Sequence, residues 1–526
     1  MGKSLGDRRR GAGLARREEG AYLLVRDRRA TQTDRMDRRR GRLTYPFAVP
    51  NLMLNFSRAA PVLHALLLSV LIAGCSQSAS TTDTSSHTPP KNPQATFLDK
   101  EYPLHGRVTG VQLTIRRDPD PQSHGVGWLR MGSAVRLKPH SRASSTCASG
   151  WYSIFPQGWI CKGEGVKISS NPVADAFAIN PPPRNAALPY AYHKVRETSV
   201  EYYRPPSRDE QRAAQRYVEQ YNTLKAKSAL AAERFVSGKL TGQPIKPAVV
   251  HRLLERGSYI AGAGVETRAR RDFVRTVTGR YLKRATLIPI TGSSFAGQPI
   301  TSTNPLPVAW AIRTGHRLKK HQQPDGTVRF IKDTTQDAIG RHASLPWAGR
   351  QHHNGIGYHE LKDGSFLKDW FVAVAELISP PRNLAASQVW IHVDISQQTL
   401  VVYRGKQPLY ATLVSTGLTG YDTPLGEFTI REKRVADTMA NLGSDIEDRY
   451  SIEDVPWTQY LKGSIAIHGT FWHSRFGLRH SHGCINLSPL DAHAVFNYTE
   501  PSLPLGWHGI IVQAAGHKGT LVWITE

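Results

Sequence analysis

The chain has 526 residues, four cysteines and a formal net charge of +26. This length exceeds what one hydrophobic core holds, which excludes a single-domain protein and predicts two to four domains. The positive charge predicts an anionic partner, which is nucleic acid, a membrane surface or an acidic polymer such as the cell wall. Charge alone does not choose among them.

Residues 1–52 form an arginine-rich prefix. They hold 14 Lys and Arg against 6 Asp and Glu, and no hydrophobic period runs through them. Such a segment is predicted to be disordered. Because a signal-like segment begins at Met53, our hypothesis is that translation starts there and the prefix is never made. The alternative is a nucleic-acid-binding arm.

Residues 53–75 have the pattern of a signal segment. The apolar run Val62 to Ala73 has about 12 residues, too short to span a bilayer of about 30 Å, and it leads into the sequence IAGC. The segment resembles a bacterial lipoprotein signal peptide. The resemblance implies that Cys75 becomes the lipidated first residue, anchored to a membrane that faces the periplasm. Ser76 implies the outer membrane in a two-membrane bacterium, so the expected partner is the envelope and not nucleic acid.

Residues 76–97 are rich in Ser, Thr and Pro and are predicted to be a flexible tether. Residues 98–180 follow with short β-like runs between Gly, Ser and Asp-Pro turns, and they resemble a bacterial SH3-like domain. The pieces that carry this resemblance are Leu113-Thr114-Ile115-Arg116, Gly132-Ser133-Ala134-Val135, Gly150-Trp151-Tyr152 and Gly158-Trp159-Ile160.

The structural roles of two cysteines and two tryptophans in this SH3-like region can be predicted. An oxidising envelope would permit a disulfide between Cys147 and Cys161, and two buried thiols are the alternative. Trp151 and Trp159 are expected to fill a small barrel core rather than to stack on a sugar or peptide.

Residues 190–385 are predicted to be an α+β or β-rich accessory region of unknown task. Ser207 and Glu210 form a capping-box pattern, which predicts a helix to about residue 235. Hairpins are predicted over residues 273–287 and 357–368, around glycine-containing turns. No catalytic constellation lies in this region.

Residues 386–514 are predicted to be the catalytic domain. Three apolar runs at 389–393, 399–403 and 409–415 are joined by polar turns and predict adjacent antiparallel strands. Ser488-Pro489-Leu490-Asp491 is typical of a helix start, and the helix is expected to run to about Tyr498.

The clearest chemistry lies near the end of the chain. His468 precedes His482 by 14 positions, and Gly483 and Cys484 follow directly. The thiolate is the reactive form of cysteine, and an imidazole on a neighbouring strand can accept its proton. Gly483 allows a sharp turn in which backbone N–H groups point at a developing oxyanion.

These residues resemble the L,D-transpeptidase catalytic domain, of the YkuD type. Two ordered motifs carry the resemblance, namely His468 with Ser481-His482-Gly483-Cys484-Ile485-Asn486, and upstream Thr423-Pro424-Leu425-Gly426-Glu427-Phe428. The expected fold class is therefore a multidomain, mainly β protein. It combines an SH3-like barrel, an α+β accessory region and a β-rich catalytic domain with a short helix after the Cys loop.

The resemblance implies acyl transfer on peptidoglycan stem peptides. Cys484 would attack the carbonyl before the terminal D-alanine of a tetrapeptide and hold a thioester, which an amine of a second stem resolves. His468 would be the base, oriented by the Gly469 carbonyl, and backbone amides near His482, Gly483 and Cys484 would form the oxyanion hole. The supporting residues would be Ser481 and Asn486, and no metal or organic cofactor is required.

Four other interpretations remain open from the sequence. An L,D-carboxypeptidase, or an enzyme that attaches an envelope protein to peptidoglycan, would use the same residues. A lipid-anchored cell-wall-binding protein would not need them. His473, His480 and His482 with Cys484 could form a zinc cluster, although no CxxC or HExxH spacing accompanies them. The aromatic side chains expected either to line the groove or to fill the core are Tyr460, Phe471 and Trp472.

Overall fold

The computed structural model describes residues 93–526, apart from 175–178, 180, 382–383 and 441–450. The predicted prefix, the signal segment with Cys75 and the tether up to residue 92 lie outside the described residues. The last tether residues, 93–97, belong to helix α1 (Pro93–Glu101), so the prediction of a flexible tether is wrong there. In the described ranges, no helix combines the length and the apolar character needed to cross a membrane.

Helix α1 is fixed to the strands that follow it. The ring centroid of Phe97 lies 6.3 Å from that of Phe155, and Arg136 donates to the Leu98 carbonyl and pairs with Asp99 at 2.9 Å. Aromatic packing and these polar contacts offset the low helical tendency that the Ser/Thr/Pro-rich composition predicts.

The first module is a small β structure joined by a disulfide between Cys147 and Cys161, with an S–S distance of 1.99 Å. Trp151 is buried beside the disulfide, whereas Trp159 is half-buried under the Arg142 guanidinium, 4.8 Å from its ring centre. The elements are β1 (Leu104–Val108), β2 (Gln112–Arg116), β3 (Gly125–Arg130), β4 (Ala134–Ser144), β5 (Cys147–Ile154), β6 (Trp159–Cys161), a 3₁₀ turn (Lys162–Glu164) and β7 (Val166–Ser169).

The second module combines β-strands with two helices. The elements are β8 (Ala191–Val195), β9 (Ser199–Tyr202), α2 (Arg208–Lys227), α3 (Ala229–Val236), β10 (Val250–Leu254), β11 (Tyr259–Arg268), β12 (Arg271–Thr276), β13 (Tyr281–Lys283), a 3₁₀ turn (Arg284–Thr286) and β14 (Leu287–Ile290). The predicted capping box of Ser207 and Glu210 is present, but the helix is interrupted at Ser228. The Ser228 side chain accepts from the Ala231 N–H and starts a second helix, so the prediction of one continuous helix is wrong.

The third module is almost entirely β. The elements after the short strand β15 (Gln298–Pro299) are β16 (Val308–Ala311), β17 (Leu318–Gln322), β18 (Val328–Lys332), β19 (Ser344–Leu345), β20 (Trp347–His353), β21 (Ile356–Leu361), β22 (Phe366–Lys368), a 3₁₀ turn (Asp369–Phe371) and β23 (Val372–Ala375).

The three modules share one local arrangement. In each, a strand (β5, β12 or β21) turns through four residues into a three-residue strand, a 3₁₀ turn follows, and a final strand closes the unit. Each turn contains a glycine with positive φ, namely Gly158, Gly279 and Gly364. The predicted accessory region 190–385 therefore contains two further copies of a unit that the first module also contains.

The C-terminal domain packs two β layers around one apolar core. Its elements are β24 (Val389–Asp394), β25 (Thr399–Arg404), β26 (Gln407–Leu413), β27 (Gly426–Thr429), β28 (Glu432–Ala440), β29 (Ser451–Lys462), β30 (Ile465–Gly469), β31 (Ile485–Leu487), α4 (Pro489–Tyr498), β32 (Gly509–Ile511) and β33 (Leu521–Thr525). The antiparallel neighbours β24, β25 and β26 match the predicted strands. The predicted domain end at residue 514 is wrong, because β33 pairs with β24 on one side and β27 on the other.

Backbone pairing joins the modules to the C-terminal domain. β3 of the first module pairs with β32, β11 of the second pairs with β29, and β15 pairs with β26. A Cβ at Gly127 in β3 would lie 2.6 Å from the Trp507 ring, so only glycine permits this approach. The C-terminal domain is thus built into one continuous body with its neighbours.

A buried carboxylate fixes the start of α4. Asp491 Oδ1 accepts hydrogen bonds from the Tyr410 hydroxyl and the Gly297 N–H, both at 2.6 Å. Asp491 Oδ2 accepts from the hydroxyls of Thr412 at 2.7 Å and Ser488 at 2.8 Å. These donors come from different parts of the fold and satisfy the buried charge.

A buried lysine fixes the other end of α4. Lys433 Nζ donates to the carbonyls of Phe496, Thr499 and Pro501 at 2.7 to 3.0 Å, where the helix leaves carbonyl groups unpaired. Burial lowers the pKa of this amine to about 7. Both ends of the helix that follows the Cys loop are therefore held by buried polar groups.

We expect Asp491→Ala to lower the free energy of unfolding by about 3 kcal/mol or more. The variant leaves the buried Gly297 N–H without an acceptor and removes a hydrogen-bonded charge. Asp491→Asn is the matched control: its oxygen still faces Gly297, and the Thr412 and Ser488 hydroxyls can turn to accept. We expect that variant to stay within about 1 kcal/mol of the unmodified protein. Urea denaturation measures both, and an alanine variant as stable as the asparagine variant would contradict this role.

Candidate active site

A cavity of about 480 Å³ opens beside the Cys loop of the C-terminal domain. His468, Cys484 and Asn486 lie in its wall, together with Trp472 and Tyr460. Both aromatic residues were predicted either to line a groove or to fill the core. Phe471, the third of that set, is buried elsewhere and stacks on Tyr192 at 4.0 Å.

His468 is oriented as a proton acceptor. It lies on β30, is buried, and its Nδ1 is 3.1 Å from the Gly469 carbonyl oxygen. A carbonyl only accepts, so Nδ1 carries the proton and Nε2 keeps its lone pair. Burial lowers the pKa of His468 to about 4, so the imidazole is neutral near pH 7.

Cys484 is a partly exposed free thiol, one residue before β31. Strands β30 and β31 run parallel with His468 opposite Asn486, so Cys484 lies at the start of the strand that neighbours the strand of His468. The Cys484 Sγ lies 3.5 Å from the Ser464 carbonyl oxygen, and burial raises the pKa of the thiol to about 11. The site therefore holds a neutral thiol and a neutral imidazole, not a preformed ion pair.

The loop before Cys484 is held by short-range hydrogen bonds. Ser481 Oγ donates to the Cys484 carbonyl at 2.5 Å and accepts from the Gly483 N–H at 3.1 Å. The Gly483 N–H is therefore already bonded within the loop. The exposed His482 ring lies 4.4 Å from the Tyr421 ring, centroid to centroid.

The upstream motif contacts the same loop. The Thr423 hydroxyl accepts from the Gly417 N–H and donates to the Gly483 carbonyl, both at 2.9 Å. The Thr-Pro-x-Gly-x-Phe segment and the Cys motif are thus joined by one side chain. The sequence contained both motifs, but nothing in their spacing predicted this bond.

We expect Gly483→Ala to reduce any Cys484-dependent turnover by about 100-fold or more, because a 1 Å displacement at a reacting group has that effect. Gly483 has φ of +108°, and an added Cβ would lie 2.7 Å from Ile465 Cδ1. The control is Gly463→Ala, also at positive φ but with nothing within 4 Å of the new Cβ. Turnover of the two variants measured side by side makes the test, and equal losses would contradict a specific role for Gly483.

Asn486 and His473 form a contact that sequence reasoning missed. The Asn486 amide lies 3.0 Å from His473 Nε2, and its backbone exchanges hydrogen bonds with Ser415. His473 is half-buried, with its ring 4.7 Å from that of His480. Across the described ranges, no group of three or more His, Cys, Asp or Glu side chains is arranged to hold a metal.

Comparison with known families identifies the domain that contains this cavity. Residues 388–524 match the YkuD family, the L,D-transpeptidase catalytic domain. This YkuD domain contains both sequence motifs and every cavity residue named above, and it covers about a quarter of the chain. No curated protein matches the chain.

Solved structures similar to the chain include several L,D-transpeptidases. The Ldtfm-avibactam carbamoyl enzyme is 21% identical with a TM-score of 0.22, and the chain covers 54% of its length with 29% of its own. The catalytic domain of the E. faecium L,D-transpeptidase is 23% identical with a TM-score of 0.21, over 26% of this chain and 98% of that one. An L,D-transpeptidase from Mycobacterium smegmatis is 17% identical with a TM-score of 0.22, and the match covers 51% of this chain and 99% of that one.

Proposed function

We propose that the protein is a cysteine-dependent L,D-transpeptidase that acts on peptidoglycan stem peptides. The observation that carries the proposal is that Cys484 and His468, whose Nδ1 faces the Gly469 carbonyl, line one cavity of the YkuD domain. Acyl transfer through a covalent intermediate requires a nucleophile and a base that activates it.

The acylation step moves one proton and exchanges one acyl group. The Cys484 thiol transfers its proton to His468 Nε2 while Sγ attacks the carbonyl before the terminal D-alanine. The C–N bond then breaks, and the departing D-alanine amine takes the proton from His468. This leaves a thioester at Cys484 and a neutral imidazole.

Deacylation repeats the sequence with a new amine. An amine of a second stem gives its proton to His468 as it attacks the thioester, and Cys484 leaves as a thiol once it regains that proton. The resting His468 imidazole is neutral, so its Nε2 can accept the proton in each half of the reaction.

Backbone amides would stabilise the oxyanion that forms at each step. The Gly483 N–H is bonded to Ser481 Oγ, so we assign this role to the N–H groups of His482 and Cys484. One such donor contributes about 3 to 4 kcal/mol to the transition state in acyl-transfer enzymes.

The test of this function is the product formed from tetrapeptide-bearing muropeptides, followed by mass spectrometry beside Cys484→Ala. We expect a cross-linked dimer with loss of D-alanine from the unmodified protein and no product from the variant. Tripeptide alone would assign an L,D-carboxypeptidase. Products that do not depend on Cys484 would contradict the proposal.

We also propose that the protein is lipid-anchored through Cys75 in the cell envelope, with an SH3-like module at residues 98–180. Support comes from the apolar run and the IAGC sequence of residues 53–75, and from the short β-strands of the first module. Mass analysis of native protein should find a diacylated N-terminal Cys75. Peptides from residues 1–52 would contradict the start at Met53.

A further inference from the structure

One loop connects the histidine and the cysteine of the cavity. It comprises residues 470–483, which follow the strand of His468 and lead directly to Cys484. Its side chains include those of Trp472 and His480, which lie in the cavity wall. The conformation of this connecting loop therefore determines the shape of the cavity and the place of the cysteine in it.

The tip of the connecting loop packs against the third module, outside the residues that match the YkuD family. Phe476 is fully buried, and its ring lies 6.0 Å from that of Phe295 in an apolar cluster that includes Trp310 of β16. A Cβ at Gly477 would lie 2.2 Å from Ile312 Cγ2, so only glycine permits this approach. The tip is thus enclosed by a neighbouring module rather than by solvent.

Two side chains of the third module donate to one carbonyl of the tip. His342 Nε2 lies 3.2 Å from the Phe476 carbonyl oxygen, and Arg341 Nη2 lies 3.3 Å from the same atom. A carbonyl oxygen only accepts, so His342 carries a proton on Nε2. Burial and the neighbouring Arg341 guanidinium lower the pKa of His342, so the neutral imidazole with that single proton is the main form at pH 7.

His342 has a backbone conformation that residues other than glycine rarely adopt. Its φ is +69°, in the left-handed region. Its N–H donates to the Ala311 carbonyl at 2.6 Å, and its ring lies 4.7 Å from that of Phe295. Such a conformation costs energy and persists where the surrounding structure fixes it. These contacts hold the imidazole against the loop tip.

The loop is bonded to the YkuD domain just after the same tip. The Gly477 N–H donates to the Val414 carbonyl at 2.8 Å. The N–H groups of His480 and Ser481 donate to the Thr416 carbonyl at 2.8 and 2.9 Å. A displaced tip would disturb these bonds and, through them, the backbone that leads to the cysteine.

We infer that His342 and Arg341 are positioning residues that hold the connecting loop in its active conformation through the Phe476 carbonyl. Neither side chain is part of the described cavity wall, so both act through the loop. The third module thereby supplies an anchor that the YkuD domain lacks by itself. The effect on turnover rests on the proposed function, whereas the effect on the loop does not.

Amide hydrogen exchange of the full chain, followed by mass spectrometry, is the first test and needs no substrate. We expect His342→Leu to speed exchange in residues 477–481 about tenfold, the effect of one lost hydrogen bond, and to leave β24 to β26 unchanged. His342→Gln retains a side-chain N–H donor and should restore most of the protection. The matched control is His321→Leu, the same change at an exposed histidine of the third module, which should leave residues 477–481 unchanged.

Unchanged exchange of residues 477–481 in His342→Leu would overturn the inference. Equal acceleration in β24 to β26 would also overturn it, because the histidine would then stabilise the fold as a whole and not the loop.

Turnover of tetrapeptide muropeptides by the same variants is the second test. We expect kcat/KM of His342→Leu to fall about tenfold, since a small displacement of a reacting group slows the reaction. His342→Gln should recover most of this loss, and His321→Leu should match the unmodified protein. If His342→Gln is no better than His342→Leu, the hydrogen bond to the tip is not what positions the loop.

The positioning role and the proposed function can fail separately. If the unmodified protein turns over no muropeptide but exchange responds to His342→Leu as expected, the proposed function fails and the loop anchor stands. If turnover depends on Cys484 but neither exchange nor turnover responds to His342→Leu, the function stands and the positioning role is wrong.

Discussion

Replacing His468 with glutamine should reduce the proposed transpeptidation by about 100-fold to 10,000-fold, the usual contribution of a general base. Glutamine keeps a polar side chain of similar length but cannot take up a proton. The thiol is neutral near pH 7 and must lose its proton as Sγ attacks, and His468 is the buried histidine of the cavity wall whose Nδ1 faces a carbonyl. Initial rates of D-alanine release measure the effect, and we expect it in kcat rather than in KM.

The matched control for that variant is His517→Gln, which changes an exposed histidine of the same chain. We expect it to keep the activity of the unmodified protein. A His468→Gln variant that also keeps full activity would show that the base is elsewhere, and the assignment of His468 would have to be withdrawn.

The reactivity of Cys484 should rise steeply with pH. Burial raises the pKa of the thiol to about 11, so the thiolate is the minor form at every pH below that value. Since only the thiolate reacts, the rate of alkylation by iodoacetamide should increase about tenfold for each pH unit between 7 and 10, without a plateau. Peptide mass spectrometry resolved at Cys484 gives this rate directly.

The control for the pH experiment is the same protein in concentrated urea. Unfolding removes the burial that raises the pKa, so the rate should level off near pH 9 to 10, as for an ordinary thiol with a pKa of about 8.5. A plateau below pH 8 in the folded protein would mean a preformed thiolate–imidazolium pair, contrary to the neutral pair described here.

His468 and Cys484 could be named from the sequence because both match the motifs of a known family, and the structure places both in the wall of one cavity. Their catalytic roles stay a prediction. The strands β24 to β26 could be predicted because apolar runs alternate with polar turns. The bond from Thr423 to Gly483 could not, since it joins residues 60 positions apart through the fold.

Some features of the fold depend on contacts that local sequence patterns do not show. The helix break at Ser228 depends on one side-chain cap in the middle of a favourable helical segment. The predicted domain end at residue 514 left out β33. This strand belongs to the domain through its pairing with β24 and β27, which its own residues do not indicate. The repeated unit had a signal in the sequence: three Gly-containing turns, each followed by an aromatic residue and Ile or Leu, at Trp159, Tyr281 and Phe366.

The mass of the protein during turnover tests directly whether Cys484 forms a thioester. The protein is mixed with a tetrapeptide muropeptide, quenched in acid and analysed intact and after digestion. We expect an adduct equal to the muropeptide less D-alanine, bound to Cys484 and absent from Cys484→Ala. Turnover without that adduct, or an adduct that persists in Cys484→Ala, would contradict a thioester at Cys484.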